Sequence, residues 1–338
     1  MSESRPLRLI LHAGLHKSGT TTFQRAMRAA YGSPVDGVWF PLMADPGFGH
    51  EVIAWTLQDA LDDALRVLAA GGPVPDVAPV HLRALIEEAI GRGVEVLVVS
   101  AEDIDQFDER DAESLRSEIG EVPTTLLLTV TPPAHRWYSG WQEWVKHGGC
   151  ERPLDGQQEC ASRSLTAPGA VRRLVSLLPH DELVVRLVRP SPPEPDLVHS
   201  LLNACGIRPM ESLAVAAPVN VGTGVDIEVL RRLNALGVTS AVPAHERLSR
   251  FEVFRAAVRR VPRPGGPRPG YGLPTWFLDA ARDEVEVLRA LGRGAEATVL
   301  DPHGLLEHWE AMATPEWIDE IERSDWPEIP DVDGPGRR

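Results

Sequence analysis

Residues 8 to 30 read RLILHAGLHKSGTTTFQRAMRAA: an apolar run, a glycine-containing loop, then an amphipathic stretch opened by three threonines. An apolar run that gives way to helical periodicity across a short loop is the start of a β-loop-α unit. Units of this kind build parallel sheets covered by helices. The first N–H groups of such a helix have no intrahelical acceptor, and with the helix dipole they point into the loop. The junction therefore suits a phosphate or sulfate group. Gly14 and Gly19 allow a tight backbone there, and Lys17 adds a mobile cation.

Beyond Arg8 to His12, aliphatic runs recur at Val38 to Phe40, Val94 to Ser100, Thr124 to Val130 and Leu183 to Leu187. All but the run at Val38 are near-continuously apolar, as strands buried on both faces are. Between them, helical spacing predicts helices over Thr20 to Tyr31, Val52 to Ala70, Leu82 to Arg92, Ala112 to Gly120, around His135 to Lys146, and Ala170 to Leu178. The expected fold is α/β, three-layered, with a mainly parallel sheet and flanking helices. Past Leu187 the strand signal fades, and Asp226 to Leu236, Glu246 to Arg260 and Thr275 to Leu291 predict helical C-terminal additions. The expected division is an α/β domain over 1–240, a helical extension packed on it over 241–313, and an acidic, proline-containing tail over 314–338. Residues 261–274, VPRPGGPRPGYGLP, predict no regular element.

The chain has 338 residues, 43% hydrophobic and 25% charged, enough for a substantial core. Acidic residues outnumber basic ones by 49 to 34, a net charge of −15, which argues against a broad nucleic-acid footprint. An anionic ligand must then be met by a local positive site. Of the 34 basic residues only Lys17 and Lys146 are lysines, so the Lys17 ammonium in the loop stands out against an arginine habit. Three cysteines, Cys150, Cys160 and Cys205, form no metal-ligand spacing and no even-numbered framework, which suggests a reducing compartment. The N-terminal apolar run is too short for a signal-peptide core or a membrane span, so the expected location is cytoplasmic, with no membrane span. The histidines form no metal cluster and no metal is expected; oligomeric state is not readable.

The loop does not fit the nucleoside-triphosphate pattern G-x-x-x-x-G-K-[ST], because Lys17 precedes Gly19 and Thr20 stands where the lysine would be. Lys-x-Gly-Thr-Thr after a first strand instead resembles the 5′-phosphosulfate loop of sulfotransferases that use 3′-phosphoadenosine 5′-phosphosulfate (PAPS). Bacterial members carry a G-x-x-K-[ST]-G-T-[TS]-x-x-Q string where this chain has HAGLHKSGTTTFQ. The resemblance implies a P-loop-like sulfotransferase fold, with Lys17, Ser18, Gly19, Thr20, Thr21 and Thr22 holding the 5′-phosphosulfate. It also implies transfer of a sulfuryl group to a hydroxyl or amine of a small-molecule or carbohydrate acceptor.

Residues 125 to 148, TLLLTVTPPAHRWYSGWQEWVKHG, resemble the family's second signature, in which a strand-end Arg and a Ser eight residues on hold the 3′-phosphate. Ser139 fits, but Thr131 stands where the Arg belongs. On a helix Arg136, Ser139 and Lys146 would share one face, so Arg136 either supplies the missing cation or is a solvated surface charge, with Lys146 expected near the acceptor mouth. Trp137, Trp141 and Trp144 sit at helical spacing, as core residues do.

Sulfuryl transfer needs a base for the acceptor's proton. Two stretches offer one. His50 and Glu51 follow the second expected strand in GFGHEVIAW, and Glu102 ends the third in VVSAEDI, where open α/β sheets bind ligands. His50 has the better ordinary pKa for a base near neutrality, whereas Glu102 would need burial to raise its own. Asn220 in PVNVGTG stands near a short turn that relatives also carry. Two other readings stand beside the transferase: a non-catalytic nucleotide-binding protein, which Thr131 keeps open, and a nucleotide-dependent kinase of related fold.

Overall fold

The computed structural model describes residues 6–15, 18–43, 49–69, 74–147, 169–188, 197–210, 213, 275–295, 297–301 and 304–312. In chain order these form β1 (Arg8–His12), α1 (Thr20–Tyr31), β2 (Val38–Trp39), α2 (Glu51–Leu57), α3 (Leu61–Ala69), α4 (Leu82–Gly91) and β3 (Val96–Ser100). A single 3-10 turn at Asp103–Gln106 follows, then α5 (Glu109–Ile119), β4 (Thr124–Val130), α6 (Pro133–His147), α7 (Ala170–Leu177), β5 (Glu182–Leu187) and α8 (Leu197–Ala204). The last elements are α9 (Thr275–Arg293), β6 (Ala297–Leu300) and α10 (Leu305–Met312).

The strands form one six-stranded sheet in the order β2-β3-β1-β4-β5-β6, every pairing parallel. Alternation along the strands divides the core. Leu9 and Leu11, Leu97 and Val99, Leu126 and Leu128, and Leu183 and Val185 face a layer built from α2, α4, α5, α7, α9 and α10. Ile10, Val98, Leu127 and Val184 face α1 and α8. The chain is thus α/β, a mainly parallel sheet between two helical layers. The chain leaves β1 for α1 on one face, whereas after β3 it enters α5 on the other. The carboxyl end of β1 is therefore a topological switch point, where such sheets bind ligands.

Several boundaries differ from expectation for local reasons. The helix expected over Val52 to Ala70 breaks at Asp59, whose φ of 54° no continuous helix accommodates, giving α2 and α3. α5 starts earlier than expected because Asp108 and Asp111 form a reciprocal capping box at its N-terminus. α8 was not expected, and neither was β6, a short strand that pairs with β5 and places part of the 241–313 extension inside the main sheet. Of the two expected C-terminal helices before residue 275, and of the tail past 312, all lie outside the described residues.

Candidate functional site

The loop after β1 and the start of α1 lie at the switch point. Gly19 precedes the helix with φ +88°, a left-handed conformation that favours glycine, and no side chain caps the helix. The N–H groups of Thr22 and Phe23 both turn to Gly19 O, at 3.0 and 3.2 Å. Thr20 is buried, and its Oγ1 has no hydrogen-bond partner among the described residues. Gly14 is held by close approach: a Cβ there would lie 1.9 Å from the Thr20 methyl and 2.7 Å from Thr129 Oγ1. Thr21 and Thr22 are partly buried in the first turn. Lys17 lies outside the described residues, as does Asn220.

A polar chain that sequence reading did not single out runs beneath this loop. His12 Nδ1 lies 2.8 Å from Ser100 Oγ, His12 Nε2 lies 3.1 Å from Thr129 Oγ1, and Thr129 Oγ1 lies 2.8 Å from Ser18 Oγ. His12, Ser18 and Ser100 have no exposed surface, and burial pushes the His12 imidazole down to about 3, so the ring is neutral. The signal was present in the pattern. His12, Ser100 and Thr129 are polar residues at or near the carboxyl ends of apolar strands, and their parity puts all three on the face covered by α1.

His50 meets the next link, since Ser100 N–H donates to its Nδ1 at 2.9 Å and its Nε2–H donates to Pro41 O at 2.7 Å. Both ring nitrogens are spent on backbone groups, and burial brings the pKa to about 4. The expected role of His50 as acceptor base is corrected on this geometry: it ties the segment before α2 to β3, and neither nitrogen is left for an acceptor's proton.

Glu51, at the start of α2, takes the neighbouring position. Its Oε1 accepts from Glu102 N–H at 2.8 Å and from Gln24 Nε2 at 3.4 Å, and its Oε2 accepts from Asp103 N–H at 3.1 Å. Gln24 also donates to Ser100 O at 2.9 Å, so α1, α2 and the end of β3 converge here. Burial first, then the Asp103 and Glu102 carboxylates, push Glu51 up to about 8, against the two backbone hydrogen bonds. Glu102 is partly buried at the start of the 3-10 turn, where its backbone N–H meets Glu51.

The expected second half of the site is arranged differently. Arg136 returns to Thr131, donating from Nη1 to its carbonyl at 2.8 Å, but Nη2 lies 2.9 and 2.6 Å from the two carboxylate oxygens of Glu284 in α9. Both side chains of this pair are buried. The cation expected to face a 3′-phosphate is therefore already neutralised inside the protein. Ser139 Oγ pairs with His135 Nε2 at 3.3 Å. Trp137 and Trp141 are buried, whereas the side chains of Trp144 and Lys146 lie outside the described residues.

At the opposite edge of the sheet, where the strands begin, an open cavity of about 840 Å³ is lined by Arg8, Tyr31, Asp36, Glu95, Arg208 and Met210 among others, none of them expected site residues. Among the described residues no group of His, Cys, Asp or Glu side chains is placed to hold a metal ion, and no helix is long and apolar enough to cross a membrane.

No family model and no curated protein matches the chain. Among solved structures it is similar to an unliganded sugar kinase from Janibacter sp. HTCC2649, at 15% identity over 62% of this chain and 100% of that one, with a TM-score of 0.28. That degree of likeness is too small to bear on fold or activity.

Proposed function

We propose that the protein is a transferase that moves a sulfuryl group from PAPS to a hydroxyl or amine of a small-molecule or carbohydrate acceptor. The observation that carries this reading is the start of α1: an uncapped helix N-terminus behind a left-handed glycine, with the Thr20 hydroxyl buried and unpartnered among the described residues. A buried hydroxyl without a partner is costly, and an anionic oxygen would satisfy it together with the first helical N–H groups. Ser18, Gly19, Thr20, Thr21 and Thr22, with Lys17, are the residues assigned to the 5′-phosphosulfate. The Lys-x-Gly-Thr-Thr order favours this donor over a nucleoside triphosphate.

PAPS supplies an activated sulfuryl group: its bond from sulfur to the 5′-phosphate oxygen breaks as the acceptor's oxygen or nitrogen bonds to sulfur. The loop N–H groups and the Thr20 hydroxyl stabilise charge on the 5′-phosphate oxygens. With His50 committed to backbone, the acceptor's proton goes to a carboxylate of the Glu51–Glu102 pair. Glu51, with its pKa raised to about 8, ionises and becomes able to accept that proton as the pH approaches 8. Ser139 is the remaining candidate for the 3′-phosphate, now without Arg136.

Calorimetric titration with PAPS tests the donor assignment. Thr20→Val, nearly isosteric, should weaken binding by about 10- to 100-fold, the value of one hydrogen bond to a charged group. No heat with PAPS, or binding of ATP with Mg²⁺ in its place, would overturn it. Glu51→Gln and Glu102→Gln, assayed for sulfated product against a panel of acceptors, identify the base by a loss of about 10²-fold or more with donor affinity retained.

A further inference from the structure

Resting on the donor-site reading above, we propose that His12 is a positioning residue for the anion loop, and that an anion bound there selects the His12 tautomer with its hydrogen on Nε2. The argument is a count of hydrogens along a buried chain. Ser100 Oγ, His12, Thr129 Oγ1 and Ser18 Oγ follow one another at 2.8, 3.1 and 2.8 Å. Ser18, His12 and Ser100 have no exposed surface, and Thr129 is 1% exposed, so solvent does not adjust the count.

The Thr129 hydroxyl has one hydrogen to give. When Nε2 carries none, it accepts from Thr129, and the Ser18 hydroxyl must then donate to Thr129. Its hydrogen is consumed within the protein, and only lone pairs remain for the loop, which an anion repels. When Nε2 carries the hydrogen, it donates to Thr129, Thr129 donates to Ser18, and the Ser18 hydrogen is left over at that end of the chain for a ligand oxygen. At the other ring nitrogen the Ser100 hydroxyl turns from acceptor to donor. All three contacts survive in both arrangements and the one hydrogen left over moves from the Ser100 end to the Ser18 end, so the charge of the ligand at the Ser18 end decides between them.

Burial keeps His12 neutral, with a pKa near 3, so this is a choice between neutral tautomers and not a titration. His50, the other buried imidazole, has no such freedom, because a backbone N–H and a backbone carbonyl fix its two nitrogens. The chain also explains why a histidine ends an otherwise aliphatic strand: only an imidazole offers one donor and one acceptor on opposite sides of a rigid ring, spanning β3 and β4 from β1.

The test uses adenosine 3′,5′-bisphosphate as probe and the ¹⁵N shifts of the histidine ring nitrogens in the full chain, His12 being identified by its loss in His12→Gln. On saturation, His12 Nε2 is expected to carry the hydrogen and Nδ1 to carry none. In parallel calorimetry, His12→Leu should weaken the probe about 10-fold, and His12→Gln, whose amide N–H can replace Nε2–H, should recover part of that. In a Ser18→Ala background the effect of His12→Leu should vanish, as a merely structural role would not. Hydrogen on Nδ1 in the loaded protein, or equal losses in both backgrounds, would overturn the proposal while leaving the donor site in place. Absence of any probe binding to the unaltered protein would overturn the donor-site reading and this inference together.

Discussion

Two buried polar clusters flank β4, and they are built on opposite principles. Under the loop after β1, His12, Ser100, Thr129 and Ser18 are neutral groups in hydrogen-bond contact along one chain. Against α9, Arg136 and Glu284 are full charges, paired through both carboxylate oxygens, with Arg136 Nε and Thr131 Oγ1 unpartnered among the described residues. A neutral network can be reorganised by rotating hydroxyls. A buried ion pair cannot release either partner without exposing an uncompensated charge to an apolar surrounding. The second cluster docks α9 on α6, and the first is the one proposed above to respond to a ligand.

The ion pair offers the sharpest way to break this contrast. Glu284→Gln should destabilise the protein by about 3–5 kcal/mol in chemical denaturation, because it strands the Arg136 charge. The combined change Arg136→Met with Glu284→Leu should restore most of that loss. If Arg136 instead served a 3′-phosphate, the double variant would lose affinity for adenosine 3′,5′-bisphosphate relative to adenosine 5′-phosphate; the expected ratio of affinities is unchanged.

Acid should act on the neutral side. His12 and His50 have folded pKa values near 3 and 4 against an ordinary 6.5, so the unfolded chain binds more protons between these limits. The stability they contribute is present above about 6.5 and is lost as pH falls toward 4 and then 3. Unfolding midpoints measured down this range should fall, and His50→Gln should flatten the upper part of the curve.

Glu51 carries the opposite sign, its folded pKa being raised from 4.5 to about 8. The folded protein holds a proton there that the unfolded chain has released, so this contribution is present below about 4.5 and is lost as pH rises through about 8. Glu51→Gln should therefore raise the melting temperature at pH 8 relative to the unaltered protein and leave it little changed near pH 5. An equal shift at both values would remove Glu51 from the account.

The strands that carry the site were legible because each is a long apolar run: β1, β3, β4 and β5 lie where aliphatic periodicity put them. β6 was not, since four residues, ATVL, at a sheet edge are too short a signal and are only partly buried. The loop and α1 were legible because glycines and threonines act within one turn of chain. His50 misled because its ordinary pKa says nothing about a partner fifty residues away at Ser100. Arg136 misled for the same reason, its carboxylate lying 148 residues further on.

By itself the amino-acid order determined a parallel α/β sheet and a glycine-led helix start after β1, because hydrophobic period, glycine backbone freedom and helix termini are local physics. Only the tertiary structure decided which titratable groups are spent. Desolvation and hydrogen-bond pairing depend on what the fold brings alongside: Pro41 and Ser100 at His50, Glu284 at Arg136, and Ser100 and Thr129 at His12.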